Sequence, residues 1–98
     1  LIGIHVGIPW TDEAIAMAWK HKNVYLGCDA HSPKYWPASF VQYINTYGQD
    51  KVIFGTDFPV LDFERTRQEI EDHGFRSDPK RKLLRDNVIR IYGLEDRL

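Results

Sequence analysis

In Lys51-Val52-Ile53-Phe54-Gly55-Thr56-Asp57-Phe58-Pro59 a lysine opens a run of strand formers, and the run breaks off in Gly-Thr-Asp with a proline two residues further on. Valine and isoleucine suit a pleated, buried surface, and proline cannot continue a central strand. Asp57 therefore falls at the carboxyl end of a strand, where the backbone leaves the sheet. In α/β proteins ligands bind outside that end. A carboxylate there is a candidate metal ligand or proton acceptor. The other reading is that Asp57 caps or hydrogen-bonds the turn it starts, a common role of aspartate.

Two earlier stretches read as strands of the same kind. Val24-Tyr25-Leu26-Gly27-Cys28 is nearly continuous in apolar character, as a strand covered on both faces is. Leu1 to Val6 is a shorter apolar run carrying Gly3 and His5 and ended by Gly7 and Pro9. Four helices are predicted around these strands. Thr11 or Asp12 caps the first, which runs to His21 with Ala14, Ile15, Ala18 and Trp19 on one face. Lys20, His21 and Lys22 then sit in its last turn, where positive charge is favourable and solvated. Pro37 opens the second, with Phe40, Val41, Ile44 and Tyr47 as its buried stripe and Gly48 as its stop. Asp62 caps the third, through about His73, with Phe63, Thr66 and Ile70 inward and Glu64, Arg65, Gln68, Glu69 and Glu71 solvated. His73 at its exposed end reads as structural or incidental. Ser77-Asp78-Pro79 starts the last helix, whose apolar face is Leu83, Leu84, Val88, Ile91 and Tyr92 and which Gly93 ends. Strands alternating with helices, joined by connections long enough to cross over, give an α/β fold with parallel strands.

The 98 residues are enough for one small domain with one core. A formal net charge of −1 gives no field that would recruit nucleic acid or an anionic membrane surface, and no apolar run approaches a membrane span. The single cysteine, Cys28, excludes an internal disulfide and fits a reducing, cytoplasmic setting. Leu1-Ile2-Gly3-Ile4 reads as a strand already under way rather than a signal peptide, so the chain is expected to be the downstream part of something longer, or a chain cut at a strand.

All three predicted strands end in polar groups: His5, then Cys28-Asp29, then Asp57. In a parallel sheet those ends share one edge, which would bring His5 and Asp57 together despite their separation in sequence. Imidazole and carboxylate facing a shared cavity at strand ends is how a metal site is built from such strands. A histidine in an apolar strand can equally be a core residue bonded to a backbone carbonyl. Asp29 either shapes its loop or touches substrate, and His31, beyond the strand, can line the pocket. A Cys28-Asp29-His31 metal set is the less favoured arrangement. No cation adjoins Cys28 on the strand to make it a reactive thiolate. Trp10, Tyr35 and Trp36 either pack under the loops or wall an apolar site. Neither a glycine-rich phosphate loop nor a nucleophile elbow is present, which ranks a nucleotide-binding domain last.

His5-Val6-Gly7-Ile8-Pro9-Trp10, the Val24–Cys28 strand, Gly55-Thr56-Asp57-Phe58-Pro59 and Arg85-Asp86-Asn87-Val88-Ile89-Arg90-Ile91-Tyr92-Gly93-Leu94 together resemble the end of the amidohydrolase-related proteins, over essentially the whole chain. The nearest branch is the metal-dependent hydrolases and non-oxidative decarboxylases, including aminocarboxymuconate-semialdehyde decarboxylase. The resemblance implies that the chain is the carboxyl-terminal portion of one (β/α)8 barrel domain, its last three strands and an extra helix. It gives Asp57 the role of ligand to a divalent metal, often zinc, and His5 that of holding the metal or activating water or substrate. A small-molecule substrate is expected, with Trp10, Asp29 and His31, from their positions past the strand ends, as the candidate residues that touch it. The first-strand His-X-His pair and the fifth-strand histidine of that family are absent, so the chain alone is expected to be inactive. Its open sheet edges are expected to be covered by the missing part or by another copy. The alternative is a non-catalytic α/β module that keeps these elements for packing or assembly.

Overall fold

The computed structural model describes residues 1–97. Three short strands, β1 (Ile2–Gly3), β2 (Tyr25–Gly27) and β3 (Val52–Ile53), form one parallel sheet in the order β1-β2-β3. Ile2 pairs with Tyr25 and Gly3 with Leu26, while Leu26 pairs with Val52 and Gly27 with Ile53. The expected parallel α/β arrangement is therefore present. The strands are shorter than expected, because the chain leaves the sheet early. His5, Val6 and Gly7 form a tight turn in which all three have positive φ, so His5 stands just past β1 rather than in it.

Between the strands lie α1 (Thr11–Lys20) and α2 (Ala38–Asn45), followed after β3 by α3 (Phe63–Asp72), α4 (Ser77–Arg81) and α5 (Asn87–Tyr92). Asp62 caps α3 as expected: its carboxylate accepts from the Arg65 N–H at 2.9 Å. Gly93, at φ 65°, closes α5 in the left-handed conformation that glycine adopts without a Cβ penalty. The last predicted helix is continuous in path but contains a wider π turn, Lys82–Asp86, between α4 and α5.

The core lies between the sheet and its helices. Leu26, Cys28 and Val52 meet Ile15, Ala18, Phe40, Tyr43, Ile44, Ile70, Phe75 and Leu83 there. Burying a side chain of the size of Leu26 contributes about 1.5–3 kcal/mol. Residues that alternate with these along the strands, Ile2, Tyr25 and Ile53, face the other side of the sheet, and Ile4 beyond them is 57% exposed.

Several expected burials fail for physical reasons. Trp19 and Tyr47 are exposed and pack edge to face on each other, because Ala18, Ile15, Tyr43 and Ile44 already fill the space between α1, α2 and the sheet. Phe63 and Tyr92 are also more than half exposed. Glu69, expected in solvent, is buried: the turn at Pro33–Tyr35 folds over α3, and the carboxylate accepts from the Lys34 N–H and from Arg65 Nε. His73 is structural as read. Its ring stacks on Trp36, and its Nε2–H donates to the Pro33 carbonyl.

Candidate functional site

The backbone sets the site before any side chain does. Among the described residues, the non-glycine positions with positive φ are His5 (59°), Val6 (62°), Ala30 (70°) and Asp57 (58°), and each lies just past the carboxyl end of a strand. Left-handed backbone costs an ordinary residue of order 1 kcal/mol or more and persists only where the surroundings enforce it. After β1 the enforcement is visible. The His5 N–H donates to Asp29 Oδ1 at 3.0 Å, and the buried Thr11 hydroxyl donates to the Val6 carbonyl at 3.0 Å. Gly7 completes the turn at φ 73°, and a Cβ there would stand 2.7 Å from that of Ala14. This turn swings the His5 imidazole across the end of the sheet.

There it meets the ends of the other two strands. His5 Nδ1 lies 3.4 Å from Asp29 Oδ2. Ligand atoms of His5, Asp29 and Asp57 all lie within 4.8 Å of one another. The central strand β2 puts Asp29 between the other two, and Gly27 and Gly55 beside it leave it room: a Cβ on Gly27 would stand 3.3 Å from Asp29 Oδ1, and one on Gly55 3.5 Å from Asp29 Cβ. Asp29 is partly buried, Asp57 is exposed, and the His5 side chain is 42% exposed. Among the described residues, no lysine or arginine pairs with either carboxylate, so the two negative groups lie close together with only the His5 imidazole as a neighbouring partner. An imidazole and two carboxylates form a donor set that fits a borderline or hard divalent cation.

A cleft of about 310 Å³ opens beside this cluster, with Asp29 and Asp57 at its polar end and Ile2, Ile4, Ile53 and Phe54 along its apolar wall. His31 does not line this cleft; its ring stands perpendicular to that of His5 at 6.3 Å. Trp10 lies elsewhere: 68% exposed, it lines a separate cleft of about 460 Å³ with Pro9, Asp12, Glu13 and Pro37, and the two clefts share no lining residue. Cys28 faces the core, 1% exposed, with burial pushing its thiol up to about 12, so it is neither a ligand nor a nucleophile here.

His5 and Asp57 are thus brought together, as the order of the strands predicts. The sequence reading puts Asp29 at the same edge with a loop or substrate role and a Cys28-Asp29-His31 metal set as the less favoured arrangement; the structure groups it with His5 and Asp57 instead. No helix among the described residues is long and apolar enough to cross a membrane.

A family model described as amidohydrolase matches residues 1–94. No curated protein and no solved structure matches the chain.

Proposed function

The chain belongs to the amidohydrolase family, and we propose that it is the carboxyl-terminal portion of a (β/α)8 barrel enzyme that acts on a small-molecule substrate beside a divalent metal. Members of the family generally bind such an ion, and zinc is the metal proposed here. The observation that carries this reading is the meeting of His5, Asp29 and Asp57 at one strand edge, beside an apolar cleft.

Asp57 holds the cation, and His5 either holds it or moves a proton at the substrate. When bound, a divalent ion polarises a carbonyl or carboxylate and lowers the pKa of water toward about 7. His5 is half exposed and tethered through its backbone N–H to Asp29, so its ring is oriented yet reachable, as a general acid or base requires. In a hydrolase that ring would take a proton from the water attacking an amide, ester or lactone. In a decarboxylase it would return a proton to the carbon that loses carbon dioxide. Apolar residues along the cleft would hold the substrate body and limit water, and His31, beside the His5 ring, would contact the substrate. The edge strands β1 and β3 would be covered by the rest of the barrel or by another copy.

Metal analysis after dialysis against zinc tests this. In the complete barrel about one ion per chain is expected, and none in Asp57→Ala; the 98-residue chain, which lacks the other ligands, is expected to hold none tightly. The chain alone is expected to show no turnover. In the complete barrel, Asp57→Ala should abolish activity on whichever of an ester and lactone panel or a carboxylic acid panel is turned over. Unchanged metal content and activity in Asp57→Ala would remove the enzymatic role of that residue.

A further inference from the structure

We propose that Asp29 is the positioning residue of His5: one carboxylate holds both the backbone N–H and the ring Nδ1–H of that residue, so that Nε2 is the ring atom left to take or return the proton. This rests on the reading above of His5 as the group that moves a proton, and it names the atom that does so and what aims it.

The carboxylate meets one residue in two places. Oδ1 accepts from the His5 backbone N–H at 3.0 Å, and Oδ2 lies 3.4 Å from His5 Nδ1. The first contact holds a backbone at φ 59°, which an ordinary residue adopts only under constraint. The second sets the ring. An ionised carboxylate only accepts, so the nitrogen facing it carries the hydrogen, and the neutral imidazole keeps its free lone pair at Nε2. A separation of 3.4 Å exceeds a finished hydrogen bond, and catalytic hydrogen bonds commonly tighten only once substrate is bound. Asp29 has no competing cation: among the described residues neither a lysine nor an arginine pairs with it, and its side chain is only 20% exposed. A carboxylate so far withdrawn from water relies on the donors that His5 supplies. Gly27 keeps its place open, since a Cβ there would stand 3.3 Å from Oδ1. Aspartate behind histidine orients the ring in the same way in hydrolytic triads, where exchanging it for asparagine leaves the geometry intact and selects the wrong tautomer.

Nitrogen NMR of the histidine rings in the zinc-loaded complete barrel, at mildly alkaline pH and with the His5 signals assigned by their loss in His5→Gln, reads the tautomer directly. The wild type is expected to carry the ring hydrogen on Nδ1. Asp29→Asn keeps an oxygen for the His5 N–H but turns its amide toward the ring, so the hydrogen should move to Nε2. In that variant kcat should fall by at least about 100-fold, with KM changed by less than about threefold and zinc content as in the wild type. A wild-type ring with its hydrogen on Nε2 overturns the proposal without any variant, so a failure of Asp29→Asn to fold does not protect it. An unchanged tautomer in Asp29→Asn also overturns it, whatever the activity, because a merely structural role would cost activity without moving the hydrogen. If Asp57→Ala still loses zinc and turnover, the metal-site reading then stands. Wild-type zinc content and turnover in Asp57→Ala remove that reading instead and leave the tautomer to decide the role of Asp29.

Discussion

The two ends of the sheet use polar groups in opposite ways. At the amino ends of the strands they saturate the backbone. Asn87, fully buried, donates from Nδ2 to the carbonyls of Gln49 and Val52 at 2.8 Å each. Lys51 Nζ donates to the carbonyls of His21 and Lys22 at the end of α1 and sits 4.7 Å over the Tyr25 ring, with its pKa lowered first by burial and then by Arg90. At the carboxyl ends the groups are left close together. His5, Asp29 and Asp57 converge on backbone held in left-handed conformations. One end adds stability, and the other spends some of it to bring three polar side chains together. Strain concentrated where chemistry is expected is the usual pattern at functional sites.

Cutting the amino end should have the largest effect. Asn87→Ala strands the buried Val52 carbonyl and the partly buried Gln49 carbonyl and is expected to cost about 2–4 kcal/mol in urea unfolding. Asp57→Asn, at the other end, should change stability by less than about 0.5 kcal/mol, since its exposed carboxylate forms no hydrogen bond among the described residues. Equal losses from the two would erase the contrast.

Cys28 sits on the core side of β2, one residue before Asp29, and titration reads out how dry that side is. Burial raises its pKa from 9.0 to about 12 in the folded chain. The folded state thus keeps a proton that the unfolded state gives up. The associated stability is complete below about pH 9 and is lost as the pH rises from there toward 12. At about pH 10.5 the loss should be about 2 kcal/mol. Cys28→Ala, compared over the same range, should show a shallower alkaline decline, and an identical decline would assign it to other groups.

Asp57→Gly sharpens the contrast from the side of strain. Glycine removes the Cβ penalty at φ 58°, so a gain of up to about 1 kcal/mol is expected in thermal unfolding, together with loss of zinc from the complete barrel. The smallest effect belongs to the exposed surface of the π turn. There a hydrogen bond from Arg81, the largest cause, lowers the pKa of Asp86 from its ordinary 3.8 against a smaller opposing contribution from burial. That stability is present above about pH 4 and fades as the pH falls through the depressed value. Asp86→Asn should flatten the acid limb of a pH–stability curve slightly and leave the neutral range nearly unchanged.

The parallel order was legible because Val52-Ile53 and Tyr25-Leu26-Gly27 are short apolar runs set apart by helix-length segments with clear caps at Asp62 and Gly93. The nearness of His5 and Asp57 followed from that order alone. The turn at His5-Val6-Gly7 was not legible, because valine disfavours positive φ and only tertiary contacts, from Asp29 and Thr11, hold it there. Trp19 and Tyr47 misled because helical spacing marks a face but not how much of it the neighbours cover. Glu69 misled because its burial depends on a turn from a different part of the chain. Asp29 was legible at the shared edge, as the residue that ends the second strand, but its contact with His5 was not, because that depends on the turn at His5-Val6-Gly7.

The central claim is that His5 and Asp57 meet at a metal site that the rest of the barrel completes, and anomalous diffraction from crystals of the complete barrel grown with zinc tests it most directly. A single strong peak at about 2.0–2.2 Å from a carboxylate oxygen of Asp57, with the His5 imidazole beside it, is expected. A peak elsewhere, with those two side chains turned away from one another, would contradict it.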